Sequence, residues 1–140
     1  MAGYSDTPLA RKLGIKEGAT LALLDAPPGL ITGLPPDVVV RRQARGHADI
    51  VVAFFTERAR LEQRLGTLEK MIFPTGGLWI AWPKKASRVV SDITDDVVRE
   101  LALPRGLVDT KVCAVDETWT GLRVVWRRDR RTMQTLRSLR

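Results

Sequence analysis

The chain has 140 residues, of which 44% are hydrophobic and 28% charged, with a formal net charge of +7. That length and apolar content fill one core rather than two, and the scatter of charges among apolar runs excludes a chain disordered through most of its length. No run approaches the roughly 18 consecutive apolar residues that span a bilayer, the opening MAGYSDTPLARKLG lacks a signal-peptide core, and the single cysteine, Cys113, excludes an internal disulfide or a cysteine-based zinc site in one chain, so a cytoplasmic protein is expected.

Thr7 and Pro8 suit an N-cap and first helical position, Leu9 and Leu13 share a face and Gly14 is a stop, which predicts a short leading helix. Residues 19–24 (ATLALL) form an apolar run that must turn at Asp25-Ala-Pro-Pro-Gly29, as expected of a buried first strand. Residues 38–42 (VVVRR) are β-branched and read as a second strand. Residues 50–55 (IVVAFF) are continuously apolar, the pattern of a strand covered on both faces at the centre of a sheet.

Thr56 can cap the next segment, where Leu61, Leu65, Leu68 and Ile72 recur at helical spacing, with Arg58, Arg60, Glu62 and Lys70 on the other faces. Pro74-Thr-Gly-Gly77 ends that helix, and residues 78–82 (LWIAW) begin another buried strand. A loop from Trp82 to Ser87 follows. Thr94-Asp95-Asp96 then starts a helix with acids at its positive end and Val97, Val98 and Leu101 on its inner face, closed by Pro104 and Gly106. Residues 107–115 and 119–126 are strand-like, and Asp116-Glu117-Thr118 joins them as a hairpin.

Strands alternating with helices and finishing in a hairpin define an α/β class: a Rossmann-like, mostly parallel sheet flanked by helices and ending in an antiparallel strand pair. Residues 1–126 form the domain. Residues 127–140 form an arginine-rich tail with six arginines and one aspartate, which carries +5 of the +7 and leaves the body nearly neutral. Met133, Leu136 and Leu139 could line a short terminal helix, but a frayed end is the favoured reading.

The stretches GYSDTPLARKLGIKEG, LLDAPPG, DIVVAFFTER, GGLWIAWPKKAS, DITDDVVRE and GLVDTKVCAVDETWTGLRVVWRR carry a resemblance to a bacterial family of short proteins classed as a domain of unknown function. It covers residue 3 to about residue 127 and implies the limits of the domain, without implying an activity. The order of the later elements also resembles the second half of class I methyltransferases, which implies an S-adenosyl cofactor bound by a glycine-rich turn after the first strand and an acid after the second. Here that turn is DAPPGL, and the second strand ends in Arg41-Arg42.

Parallel sheets bind ligands at the carboxyl ends of their strands, where several candidate residues fall. Lys84 and Lys85 follow a buried strand and could receive a phosphate or carboxylate, with Trp82 and Ser87 beside them, or could lie on an ordinary solvated loop. Asp116, Glu117 and Trp119 form an acidic and aromatic cluster that could bind a cationic or donor group or merely shape a turn. Asp25 could be a working carboxylate, but an Asx-turn over the Pro-Pro-Gly bend is the favoured role. His47 has no histidine or cysteine partner at metal-ligand spacing, so neither a metal nor a Ser-His-Asp role is expected. Cys113 reads as a buried, inert thiol. Tyr4 and Lys12 could close over the sheet edge or cap the core. Trp79, Trp82, Trp119 and Trp126 read as core, with Trp82 and Trp119 also placed to line a pocket.

These readings define no single activity. The favoured one is a non-catalytic binding module for a small anionic ligand or a protein partner. The alternatives are a transferase with a degenerate cofactor site, using Asp25, Lys84 and Asp116 as acid-base groups, and nucleic-acid binding through the tail.

Overall fold

The computed structural model describes residues 8–139; the expected cap Thr7 and Tyr4 lie outside the described residues. In chain order the elements are α1 (Leu9–Lys12), β1 (Thr20–Leu24), β2 (Val39–Arg41), β3 (Ile50–Phe54), α2 (Arg58–Ile72), β4 (Gly77–Pro83), α3 (Asp95–Ala102), β5 (Leu107–Ala114), β6 (Trp119–Trp126) and α4 (Met133–Ser138). Among the described residues they build a six-stranded sheet of order β2-β1-β3-β4-β6-β5. The pairs β1·β2, β1·β3 and β3·β4 are parallel, whereas β4·β6 and β5·β6 are antiparallel. The fold is therefore Rossmann-like, with the antiparallel pair at one edge.

The strands that read as continuous apolar runs are buried on both faces, and their alternate residues divide into two cores. On one face Ala22, Val51, Ala53, Leu78, Ile80, Leu122 and Trp126 meet Leu61, Leu65 and Leu68 of α2 and Val98 of α3. On the other face Leu21, Leu23, Val52, Phe54, Trp79 and Ala81 are covered by Ala10, Leu13 and Ile15, together with partly buried residues of the proline-rich segment 26–38. That second cover is mostly loop. The connection from β1 to β2 turns at Asp25 and Gly29, both at positive φ, and carries no helix.

Two helix starts differ in how they are satisfied. At α3, Thr94 is the N-cap and accepts from the Val97 amide at 3.2 Å, as the sequence predicts. At α2 the expected Thr56 cap is not used: Glu57 holds the cap position without a side-chain bond, and the Arg58 amide donates to Asp92 Oδ1 at 2.6 Å. A carboxylate supplied from 34 residues away satisfies the orphan donor and faces the positive end of the helix. Pro8 likewise stands at the cap of α1 rather than inside it.

Two buried polar links tie the layers. Arg105 donates to both oxygens of Glu69, at 2.6 and 2.8 Å, and Trp126 Nε1 donates to the Glu69 carbonyl at 2.9 Å. On the opposite face Trp79 Nε1 donates to the Leu13 carbonyl at 2.9 Å, pinning α1 to the sheet. No helix among the described residues is long and apolar enough to cross a membrane.

Candidate functional site

From β1 the chain passes outward to β2 and then back across to β3, so the carboxyl ends of β1 and β3 flank the topological switch where such sheets place ligands. Asp25 stands there at φ 59, and its carboxylate contacts Arg60 of α2 at 3.5 Å rather than the main chain of the Pro-Pro-Gly bend. The expected Asx-turn is thus replaced by a contact between β1 and α2. Both side chains are largely exposed.

Two strands along, the structure brings together two segments that the sequence left unplaced relative to each other. Pairing of β4 with β6 sets Pro83 opposite Trp119 and carries the 115–118 turn to the same edge as the loop after β4. Lys84 clamps them: its amide donates to the Thr118 carbonyl at 2.8 Å and its Nζ to the Asp116 carbonyl at 2.7 Å. Asp116 Oδ1 accepts the Thr118 and Trp119 amides at 2.8 and 2.7 Å, which closes the turn. Ser87 Oγ donates to the Lys84 carbonyl and accepts from the Val89 amide, fixing the short 3-10 turn at 85–87. Lys85 and Glu117 are exposed.

Trp82 turns into the helix-covered core, whereas Trp119 lies on the other face, edge-on to Phe54 with ring centroids 5.1 Å apart. A cavity of about 450 Å³ lies beside Trp82, Lys84 and Lys85, with Thr94, Asp95 and Asp96 at the start of α3 as its other wall. Arg99 engages both of these aspartates, at 3.1 and 3.4 Å, and also Asp109 at 3.1 Å; the bond to Asp109 is the main reason its guanidinium holds its proton more tightly than usual. Asp25 is not part of this cavity: β1 and β4 are two strand spacings apart, about 10 Å.

A larger cavity, of about 520 Å³, opens at the opposite, amino edge of the sheet. Lys12 lines it from the end of α1, Lys16 from the following turn, Asp49 from the residue before β3, and Lys111 and Arg123 from β5 and β6. Of these, sequence reasoning singled out only Lys12. The signal for the others was a lone cation inside an apolar strand, Lys111 within LVDTKVCA and Arg123 within WTGLRVVW. His47 is exposed and contributes its carbonyl to Arg41. Among the described residues, no group of three His, Cys, Asp or Glu side chains comes together that could hold a metal ion.

The fold is similar to that of solved S-adenosylmethionine-dependent methyltransferases. An Aquifex aeolicus SAM-dependent methyltransferase has 14% identity and a TM-score of 0.55, with 83% of this chain and 86% of that one covered. A ribosomal protein methylase from Lactobacillus delbrueckii subsp. bulgaricus has 10% identity and a TM-score of 0.56, with 85% and 75% covered. For the magnesium protoporphyrin IX methyltransferase of Synechocystis PCC 6803, solved with bound SAH, the values are 11% and 0.48, and 64% of this chain spans about half, 51%, of that one. No protein-family model and no curated protein matches the chain. At these identities the likeness is one of fold.

The adenosyl cofactor that this fold implies does not fit the groups present in the usual way. The turn after β1 holds two prolines and a single glycine where close approach of a cofactor to backbone needs several. At the end of β2, where a carboxylate would take the ribose hydroxyls, stands Arg41, whose guanidinium donates to the Arg45 and His47 carbonyls.

Proposed function

We propose that this chain is a non-catalytic binding module on a methyltransferase-like frame, with the Trp82–Ser87 loop and the Asp116–Trp119 turn as its binding edge for a small anionic ligand. The observation that carries the reading is the occupation of the three acid-base candidates by structural bonds. Asp25 meets Arg60, Lys84 bridges to the Asp116 carbonyl, and Asp116 holds two main-chain amides. Groups so engaged are committed to the fold and are well suited to holding an edge rigid for recognition. Arg99 is shared among Asp95, Asp96 and Asp109 and offsets one of their three charges, and exposed Lys85, on the opposite wall, is the cation that meets a carboxylate or phosphate entering the cavity.

A transferase with an altered cofactor site is the second reading, supported by the fold likeness alone. Thermal unfolding against adenosyl cofactors, nucleotides, coenzyme A, sugar phosphates and small carboxylates separates the two. A ligand at about 100 times its Kd adds roughly 2.7 kcal/mol, several degrees for a domain of this size. The expected result is a shift with a non-adenosyl anion that Lys85→Ala removes. A shift with S-adenosylmethionine accompanied by methyl transfer would overturn the proposal in favour of the enzyme.

A further inference from the structure

We propose that the cavity at the amino edge of the sheet, framed by Arg123 and Lys111 with Lys12 and Lys16, is a second binding site, for a small phosphate ester. It is distinct from the carboxyl-edge site of the preceding section, since β4 alone separates the two edges by seven residues, roughly 20 Å.

The strand register places Lys111 directly opposite Arg123, and like charges in that relation repel across an antiparallel pair. Among the described residues neither has a carboxylate within ion-pair distance. Arg123 Nη1 donates only to the Thr110 hydroxyl, at 3.1 Å. A half-buried guanidinium without an acid is costly in the free protein, and the cost falls when an anion arrives. Burial first, and then the nearby charge of Arg131, lower the proton affinity of Arg123.

The seat of the guanidinium is built into the sheet. It lies over Gly77 of β4, where an added Cβ would come within 2.6 Å of its Nε, so the absent side chain leaves the space that Arg123 fills. A planar guanidinium seated there beside Lys111 has the donor geometry that bidentate phosphate recognition uses. Trp79 stands opposite Arg123 in the same cross-strand row, and its indole N–H is committed to the Leu13 carbonyl, so it is a buried, fixed part of the core beside the cavity.

Charge and size narrow the ligand. Four cations face two carboxylates, Glu17 and Asp49, and Asp49 already accepts the Thr20 amide at 2.8 Å. The surplus of two positive charges matches a phosphate monoester near its dianionic form. About 520 Å³ lies within the usual range for small-molecule sites and leaves room for an organic group beside the phosphate.

The test uses the full chain with pyrophosphate and a mononucleotide as probes, and sodium chloride at matched ionic strength as the control. Calorimetric titration and thermal unfolding are compared for the wild type, Arg123→Gln, Lys111→Gln, Gly77→Ala and Lys85→Ala. Binding should weaken at least tenfold in the first three variants and persist in Lys85→Ala. The unliganded midpoint of Lys111→Gln should hold or rise, because a repulsion is removed. Lys111 is exposed, so this variant decides the matter even if Arg123→Gln or Gly77→Ala folds poorly. The proposal is overturned if the wild type does not respond to either probe beyond the salt control, or if Lys111→Gln binds as the wild type does. Loss confined to Lys85→Ala would also overturn it while supporting the carboxyl-edge site.

Discussion

Cys113 lies on β5 facing the core that α1 covers, with its thiol donating to the Ala114 carbonyl at 3.4 Å. Burial pushes this thiol above its ordinary value of 9.0, with the charge of Lys12 pulling the other way. The folded chain therefore holds the thiol proton more tightly than the unfolded one. The associated stability is complete below pH 9.0 and is lost as pH rises from there through the folded-state value. The denaturation midpoint of the wild type should fall more steeply above pH 9.0 than that of Cys113→Ala. At neutral pH a thiol reagent should label the unfolded chain much faster than the native one. Parallel pH slopes, or equal labelling rates, would show that the thiol is exposed. Lys84 makes a related point about residue scale: its position after a buried strand was legible as a ligand-edge cation, but its ammonium holds the neighbouring turn.

Between elements, the Glu69–Arg105 pair joins the last turn of α2 to the 3-10 turn that precedes β5. Glu69 is almost fully buried, and Arg105 supplies both of its charged partners, which in turn holds the Arg105 proton more tightly. Arg105→Ala would leave a buried carboxylate unpaired. The expected cost is about 2–3 kcal/mol, below the roughly 3–5 kcal/mol of a fully enclosed pair because the Arg105 side chain is 40% exposed. Chemical denaturation checks this, and an unchanged midpoint would show that the pair does not hold α2 to the turn. The helix starts tell the same story of local and distant partners. The α3 cap was readable from Thr94-Asp95-Asp96, whereas the α2 cap comes from Asp92, which lies beyond β4 and cannot be assigned from residues near Arg58.

At the scale of the whole molecule, the helix-covered face and the loop-covered face are unequal, and the chain end adds to the first. Residues 127–139 fold back: the Arg127 amide donates to the Gly106 carbonyl at 3.0 Å, Arg131 Nε to the Trp126 carbonyl at 3.0 Å, and Leu139 packs against the helix-side core. Thr132 caps α4 through the Thr135 amide, and Thr135 is buried. Of the two readings of this end, the short helix is the one present. Ending the chain after Arg127 should therefore lower stability by about 1–2 kcal/mol, the worth of the small apolar area that Thr135 and Leu139 bury, and unfolding should remain a single transition. An unchanged midpoint would mean that the tail does not contribute to the fold.

The sequence by itself determined where the strands lie and which are central, because burial on both faces demands continuous apolar runs that can be recognised without knowing any partner. The last strand, 119–126, and the start of α3 were legible to the residue for this reason and through local capping. Which polar groups meet is set by the folded arrangement of the strands. The order β2-β1-β3-β4-β6-β5 seats the 115–118 turn on the Lys84 loop, and the β5·β6 register sets Lys111 against Arg123 over Gly77. Apolar periodicity is a property of neighbours along the chain. A binding site is a property of residues brought side by side by strand pairing across tens of positions, and no local pattern in the chain encodes that pairing.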